Sequence, residues 1–512
     1  MGDESVEVTI ASGMLVGGSS ADGAVRSFKG IPYAQPPVGA LRWRPPQPVQ
    51  PWSGRRDTRA FGPSCPQEDR PADSLGNFGR EPQNEDCLFL NVWSGARDAG
   101  ERRPVFVWFH GGGFFCGSGS LPIFEGTALA RRGIVVVTIN YRLGALGFLA
   151  HPELSRESEH GVSGNYGMLD QIAALQWVRD NIAAFGGDPQ AVTICGQSAG
   201  SSSVNILTAS ALARGLFHRA IGESGGSMSA PGRPGNGSLL RLADVEKIGL
   251  RAQEHLGVHS LADLRAMPAE EIVRRWPTEG MSRPWPNIDG WVVPRPLYDI
   301  FSEGAQNDVA VLTGANSFEG STRPASASWE ALQGALVTDF GAENARMIFD
   351  AYRNDGELAD VSRVLAGHTI FNWQNWTWAR LHARTSRHRT FAYNFSQVPP
   401  LPAGRTFDAQ SSDKLGSYHT AEIPYVFGTL AARPWAWRDA DHRLSETMMS
   451  YWVNFISTGD PNGAGLPQWP PLTADAPSVL HLGGDEIAVG PVLFADKMAV
   501  WDSCMVRLRA AG

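Results

Sequence analysis

Residues 191–207, AVTICGQSAGSSSVNIL, constrain the fold of this chain more than any other stretch. An apolar run ends at Gly196, a serine comes next but one at Ser198, and a segment able to continue as a helix begins at Ala199. A strand that turns into a helix through one residue holds that residue in a strained, positive-φ conformation and lifts its side chain out of the packed interior. Strand and helix then pass so closely that only small residues fit two before and two after the serine, the places of Gly196 and Gly200. With 57 glycines in 512 residues the pattern G-x-S-x-G is expected by chance, and it recurs at 222–226 as GESGG. The residues downstream of each match separate the two, because AGSSSVNILTASALA can sustain a helix while GGSMSAPGRPGNGS is full of breakers. Ser198 is therefore the candidate nucleophile, and Ser224 reads as a structural residue.

The apolar runs VEVTIASGMLVGG, PVFVWF, GIVVVTIN, AVTICG, HRAIGES and DVAVLTGAN alternate with helical text, in which Leu169, Ile172, Leu175, Val178 and Ile182 keep helix spacing. Alternation of this kind predicts an α/β fold, a mostly parallel sheet with helices on both faces. Residues 244–275 and 328–388 read as helical insertions beside the sheet. No Ser/Gly-rich linker, charge block or low-complexity run divides residues 1–512, so one large domain with insertions is expected.

A net charge of −8 without a basic stripe argues against nucleic-acid binding. No run of 18 apolar residues is present and the first residues lack a basic and an apolar region, so neither a membrane span nor an export signal is expected. A cytoplasmic location is expected on that basis; a removed signal peptide would make the protein secreted or periplasmic. None of the five cysteines sits in C-x-x-C, so no zinc or redox centre is implied, and no metal or cofactor is expected. Cys65 and Cys87 bracket a polar, Gly/Pro-rich loop that they could close, although a reducing cytosol would keep them as thiols. Cys195 reads as a small buried side chain.

Attack on a carbonyl places negative charge on its oxygen, which backbone N–H groups can stabilise. FVWFHGGG supplies a strand followed directly by Gly111, Gly112 and Gly113, where missing side chains let donors approach a substrate. Of twelve histidines, His151, His255 and His388 lie in polar or ordinary helical contexts and read as surface residues, whereas His419 precedes an aromatic, apolar stretch late in the chain. Glu319 comes after the strand in DVAVLTGANSFEG. The chain order Ser198, Glu319, His419 is that of nucleophile, acid and base in α/β-hydrolases. FNWQNWTWARLHA carries Trp373, Trp376 and Trp378, which either pack a helix onto its neighbours or wall a substrate pocket; Phe371 and Phe114 are further candidates for that wall.

With these parts in place, the chain resembles the type-B carboxylesterases, a family that includes para-nitrobenzyl esterases and cholinesterases. The likeness runs from FKGIPYAQPPVGALRWRPP through EDCLFLNVW, HGGGF, VTINYRLGALGFL and FGGDPQAVTICGQSAG to YWVNFISTGDPN. It implies an α/β-hydrolase fold and a serine esterase acting through an acyl-enzyme on small-molecule esters, as a monomer or weak oligomer. Ser198, Glu319 and His419 would be the triad, and Gly112, Gly113 and Ala199 the oxyanion donors. Arg42 with Glu85 and Arg142 with Asp170 match structural salt bridges of the family, and Cys65 with Cys87 its small disulfide loop. Many members carry glutamate where Gln197 stands and glutamine where Glu223 stands. Glu223 is thus expected to return one carboxylate to the triad, and cholinesterase-like selectivity is not expected. Lipase-like activity and hydrolysis of bulky xenobiotic or toxin esters are narrower alternatives within the same chemistry. A catalytically silent, neuroligin-like binding protein is the rival from another class, and the intact triad and glycines argue against it.

Overall fold

The strands Val135–Ile139, Ala310–Asn316 and Thr390–Phe395 are buried at every position, a pattern that only a sheet covered on both faces can accommodate. The computed structural model describes residues 6–79, 81–232, 237–276, 282–322, 324–475, 477–484 and 486–511. Its main sheet begins with β1 (Val6–Ile10), β2 (Gly13–Ser19), β3 (Arg26–Pro32), β4 (Arg55–Asp57), β5 (Phe89–Ser94), β6 (Arg103–Phe109), β7 (Val135–Ile139), β8 (Gly187–Gln197) and β9 (Arg219–Glu223). Across the sheet the order is β1-β2-β3-β5-β7-β6-β8-β9, followed by Ala310–Asn316, Thr390–Phe395, Ser478–Leu482 and Ala488–Pro491, with β4 beside β2. All neighbours from β7 to Ser478–Leu482 are parallel, while the pairings at both margins are antiparallel apart from β4, which runs parallel to β2.

Helix Tyr166–Asn181 buries Leu169, Ile172, Leu175 and Val178 against this sheet, as their spacing predicts. The segment expected to be helical at 244–275 forms helices Leu242–Leu256, Leu261–Ala266 and Ala269–Arg275. The other, 328–388, forms Trp329–Phe340, Ala342–Tyr352, Leu358–Gly367 and Trp373–Thr385, the last two joined by a π-helical turn at His368–Asn372. Arg42 pairs with Glu85 at 2.5 Å, and Arg142 with Asp170 at 2.7 Å in full burial.

The register of β8 on β9 sets Gly196 beside Gly222 and Gln197 beside Glu223, so the two G-x-S-x-G segments end side by side. Ser198 N–H donates to Glu223 O at 2.8 Å, and Ser224 N–H to Gly314 O at 2.8 Å. Carboxyl ends of adjacent parallel strands therefore converge at one edge of the sheet, where open α/β folds place their ligand sites.

Candidate active site

Ser198 has φ 60° and ψ −122° between β8 and helix Ala199–Ala209. A Cβ on Gly196 would lie 2.4 Å from the backbone of Gly200, and one on Gly200 would lie 1.9 Å from the carbonyl oxygen of Phe109. The crossing thus admits no side chain at either position. The second segment contributes to the same turn: a Cβ on Gly225 would stand 2.1 Å from Ser198 O. Ser224 is buried with φ 52°, its hydroxyl 3.5 Å from Glu422 Oε1.

Beyond β6, Gly112 and Gly113 turn with φ 111° and 61°. The glycine turn presses on Ser198, because a Cβ on Gly111 would meet the serine Cβ at 3.0 Å. The N–H groups of Gly112, Gly113 and Ala199 donate to no group among the described residues. Past strand Ala310–Asn316, Glu319 opens a short 3-10 turn and is buried. Its Oε1 accepts from Asn316 N–H at 2.7 Å, and its Oε2 lies 2.5 Å from His419 Nδ1. Gln197 Nε2 donates to His419 O at 2.6 Å and stands 3.5 Å from His419 Nε2. On the other side the Phe371 ring lies against the imidazole, centroids 4.0 Å apart.

Ser198, His419, Gln197, Ala199, Gly112, Gly113 and Phe371 line one cavity of about 1060 Å³. The residues read from the sequence as nucleophile, acid and base are thereby gathered at it, Ser198 and His419 on its wall and Glu319 behind His419. Among the described residues no cluster of His, Cys, Asp and Glu could hold a metal ion, and no helix is long and apolar enough to cross a membrane.

Comparison with known proteins agrees with this geometry. The sequence model of the carboxylesterase family matches residues 4–501. The chain belongs to the carboxylesterase family. This carboxylesterase is 37% identical over 468 residues to fumonisin B1 esterase of Sphingopyxis macrogoltabida, covering 88% of this chain and 82% of that protein. It is 35% identical over 503 residues to phenmedipham hydrolase of Pseudarthrobacter oxydans, covering 92% and 94%. A solved PNB esterase superposes with a TM-score of 0.82 at 30% identity, covering 96% of this chain and 99% of that one. The protein is accordingly a carboxylic ester hydrolase with an α/β-hydrolase fold.

Three expectations are corrected within this carboxylesterase. Trp373 does not reach the cavity: it is buried, and its Nε1 donates to Asp502 at 2.8 Å. Trp376 and Trp378 are likewise core residues. Phe114 is fully buried behind the wall, in edge contact with Phe148 and Trp285, which do line it. Cys65 and Cys87 are buried free thiols in hydrogen-bond contact, and no disulfide joins them. The loop between them is instead tied by Ser64 N–H to Pro82 O and Asn84 N–H to Ser64 O, each 2.9 Å.

Glu223, expected near the triad, does not line the cavity, whereas its strand neighbour Gln197 does. The Glu223 side chain turns into the core, where Oε1 accepts from Trp452 Nε1 at 2.8 Å and Oε2 has no partner among the described residues. Burial disfavours its charged form and pushes its pKa up to about 8. Glu422, three residues after His419, is a neighbour of the triad that reading the sequence misses. It is buried, accepts from Asn316 Nδ2 at 2.6 Å, and is pushed well above the carboxylate range by burial and by the charges of Glu223 and Glu319. A lone acid within the apolar run AEIPYVF is the signal that could have found it.

Proposed function

We propose that Ser198 is the nucleophile of this esterase, His419 its base and acid, Glu319 the carboxylate that orients His419, and Gly112, Gly113 and Ala199 the oxyanion donors. The observation that carries this reading is the positive-φ serine on the wall of a cavity that also presents a glutamate-bound imidazole. With Nδ1–H donating to Glu319, the Nε2 lone pair of His419 is left to take the Ser198 proton. Oγ attacks the ester carbonyl carbon, and the resulting oxyanion accepts from the three free N–H groups. As that intermediate collapses, His419 returns the proton to the departing alcohol oxygen and an acyl-serine remains. Water then attacks the acyl carbon, giving its proton to His419, and the acid leaves as Ser198 regains its hydrogen.

We further propose that the substrates are bulky esters. A cavity of about 1060 Å³ matches the upper end of the ordinary range for small-molecule sites, roughly 300–1,000 Å³. Relatives named for fumonisin B1 and phenmedipham support this choice. Labelling with a fluorophosphonate followed by peptide mass spectrometry tests the assignment of the nucleophile. One adduct on Ser198 is expected; an adduct on another residue, with Ser198 unmodified, would refute it.

A further inference from the structure

The Arg70 guanidinium stands over the glycine turn without a hydrogen-bond or ion-pair partner among the described residues. It lies on the loop between Cys65 and Cys87, is half-buried, and lines the cavity that holds Ser198. Its Nη2 is 3.2 Å from the point a Cβ on Gly112 would occupy, and its Nη1 is 2.1 Å from the corresponding point on Gly76. Two absent side chains therefore make the slot in which the guanidinium sits. His110, at the foot of the same turn, is held down to about 4, by burial first and by the Arg70 charge as well.

The other charged groups at this mouth are committed. Glu68 pairs with Arg283 at 3.7 Å, and Arg283 lies over the Phe115 ring at 4.1 Å. Asp408 Oδ2 accepts from Leu75 N–H at 3.1 Å, and Asp69 and Arg363 are engaged elsewhere. The Arg70 guanidinium forms no hydrogen bond or ion pair with any described residue. A planar fork of donors withdrawn partly from water, beside the reacting centre, matches a carboxylate in both charge and geometry.

We propose that Arg70 anchors a carboxylate carried by the ester, so that this esterase prefers anionic esters, either monoesters of polycarboxylic acids or esters of carboxylate-bearing alcohols. The proposal rests on Ser198 being the nucleophile of this cavity.

Two matched pairs of substrates test it on the full chain. p-Nitrophenyl hemiadipate against p-nitrophenyl hexanoate places the charge in the acyl part, and 4-carboxyphenyl butyrate against phenyl butyrate places it in the alcohol part. For each pair the ratio of kcat/KM, anionic over neutral, is compared between the native protein and Arg70→Gln. A fall of about tenfold in at least one ratio, carried by KM, is expected for a charge-assisted contact in a half-exposed site. Arg70→Lys should restore part of the preference, because a point charge remains without the fork. Ratios unchanged in both pairs would overturn the carboxylate anchor while leaving the esterase reading intact. Absence of turnover of both the anionic and the neutral esters by the native protein would instead overturn the assignment of Ser198, and the anchor with it.

Discussion

His419 Nδ1 lies 2.5 Å from Glu319 Oε2, both groups buried, across a sequence separation of 100 residues. A contact this close and this dry fixes the imidazole in one tautomer, since the Nδ1 proton has a carboxylate partner and Nε2 must then face the cavity as an acceptor. Glu319→Gln keeps the size of the side chain but lets its amide donate to Nδ1, which turns the proton to the wrong nitrogen. A fall in kcat of about 10³–10⁴ is expected at near-native thermal stability, measured by steady-state hydrolysis alongside a melting curve. Retention of more than a tenth of the native kcat would contradict this role.

The crossing at the nucleophile permits no added atom. Gly200→Ala would set a methyl carbon 1.9 Å from Phe109 O, which is backbone and cannot swing aside. Overpacking of about 1–3 kcal/mol or more is expected, read as a lowered unfolding midpoint, and the displaced turn should remove activity in whatever fraction remains folded.

Glu223 sets a pH signature on stability. Its folded pKa, about 8, lies above its ordinary value of 4.5 because burial disfavours the charged form. The fold therefore binds this proton more tightly than the unfolded chain does. The contribution to stability is fully present below 4.5 and is lost as pH rises toward 8, at up to about 1.4 kcal/mol per pH unit for one group. Glu223→Gln keeps a neutral side chain at every pH and should flatten that decline. Denaturant titrations at pH 5 and pH 8 measure it, and parallel declines in both proteins would show that the acid is ionised in the fold.

Phe371 and Trp373 are two residues apart and have opposite fates. Phe371→Ala should open the cavity beside the His419 ring, costing about 3 kcal/mol of stability and shifting the preference among acyl chain lengths. Trp373→Phe should lower stability through the lost Asp502 hydrogen bond and leave that preference unchanged. Profiling both variants with a series of p-nitrophenyl esters separates wall from core.

The same pair marks where the sequence stops being legible. The strained turn at Ser198 could be read because the constraint on it is steric and local, written in two glycines. The meeting of Glu319 with His419 could be read because strand context and chain order restrict the choice. Phe371 could not be told from Trp373, since the π-helical turn at His368–Asn372 changes the phase with which the next helix presents its residues, and no periodicity records such a turn. His151 illustrates a different loss: it reads as a surface histidine beside the start of a polar helix. It is buried, its Nδ1 accepts from Glu153 N–H at the start of helix Pro152–Glu157, and its Nε2 lies 2.6 Å from Gln253 Oε1, a partner 102 residues away. Gln197 and Glu223 look like exchanged equivalents in sequence, yet adjacent strands aim them to different places, one at the cavity and one at Trp452.

Pre-steady-state hydrolysis of p-nitrophenyl acetate by the native protein and by Ser198→Ala bears on the whole scheme at once. The native protein should release a burst of about one p-nitrophenol per chain before steady turnover, wherever deacylation is the slower step, and Ser198→Ala should lose the burst with a fall in kcat of about 10⁴–10⁶. A variant that kept the burst, or turned over at near-native rate, would place the covalent chemistry on another residue.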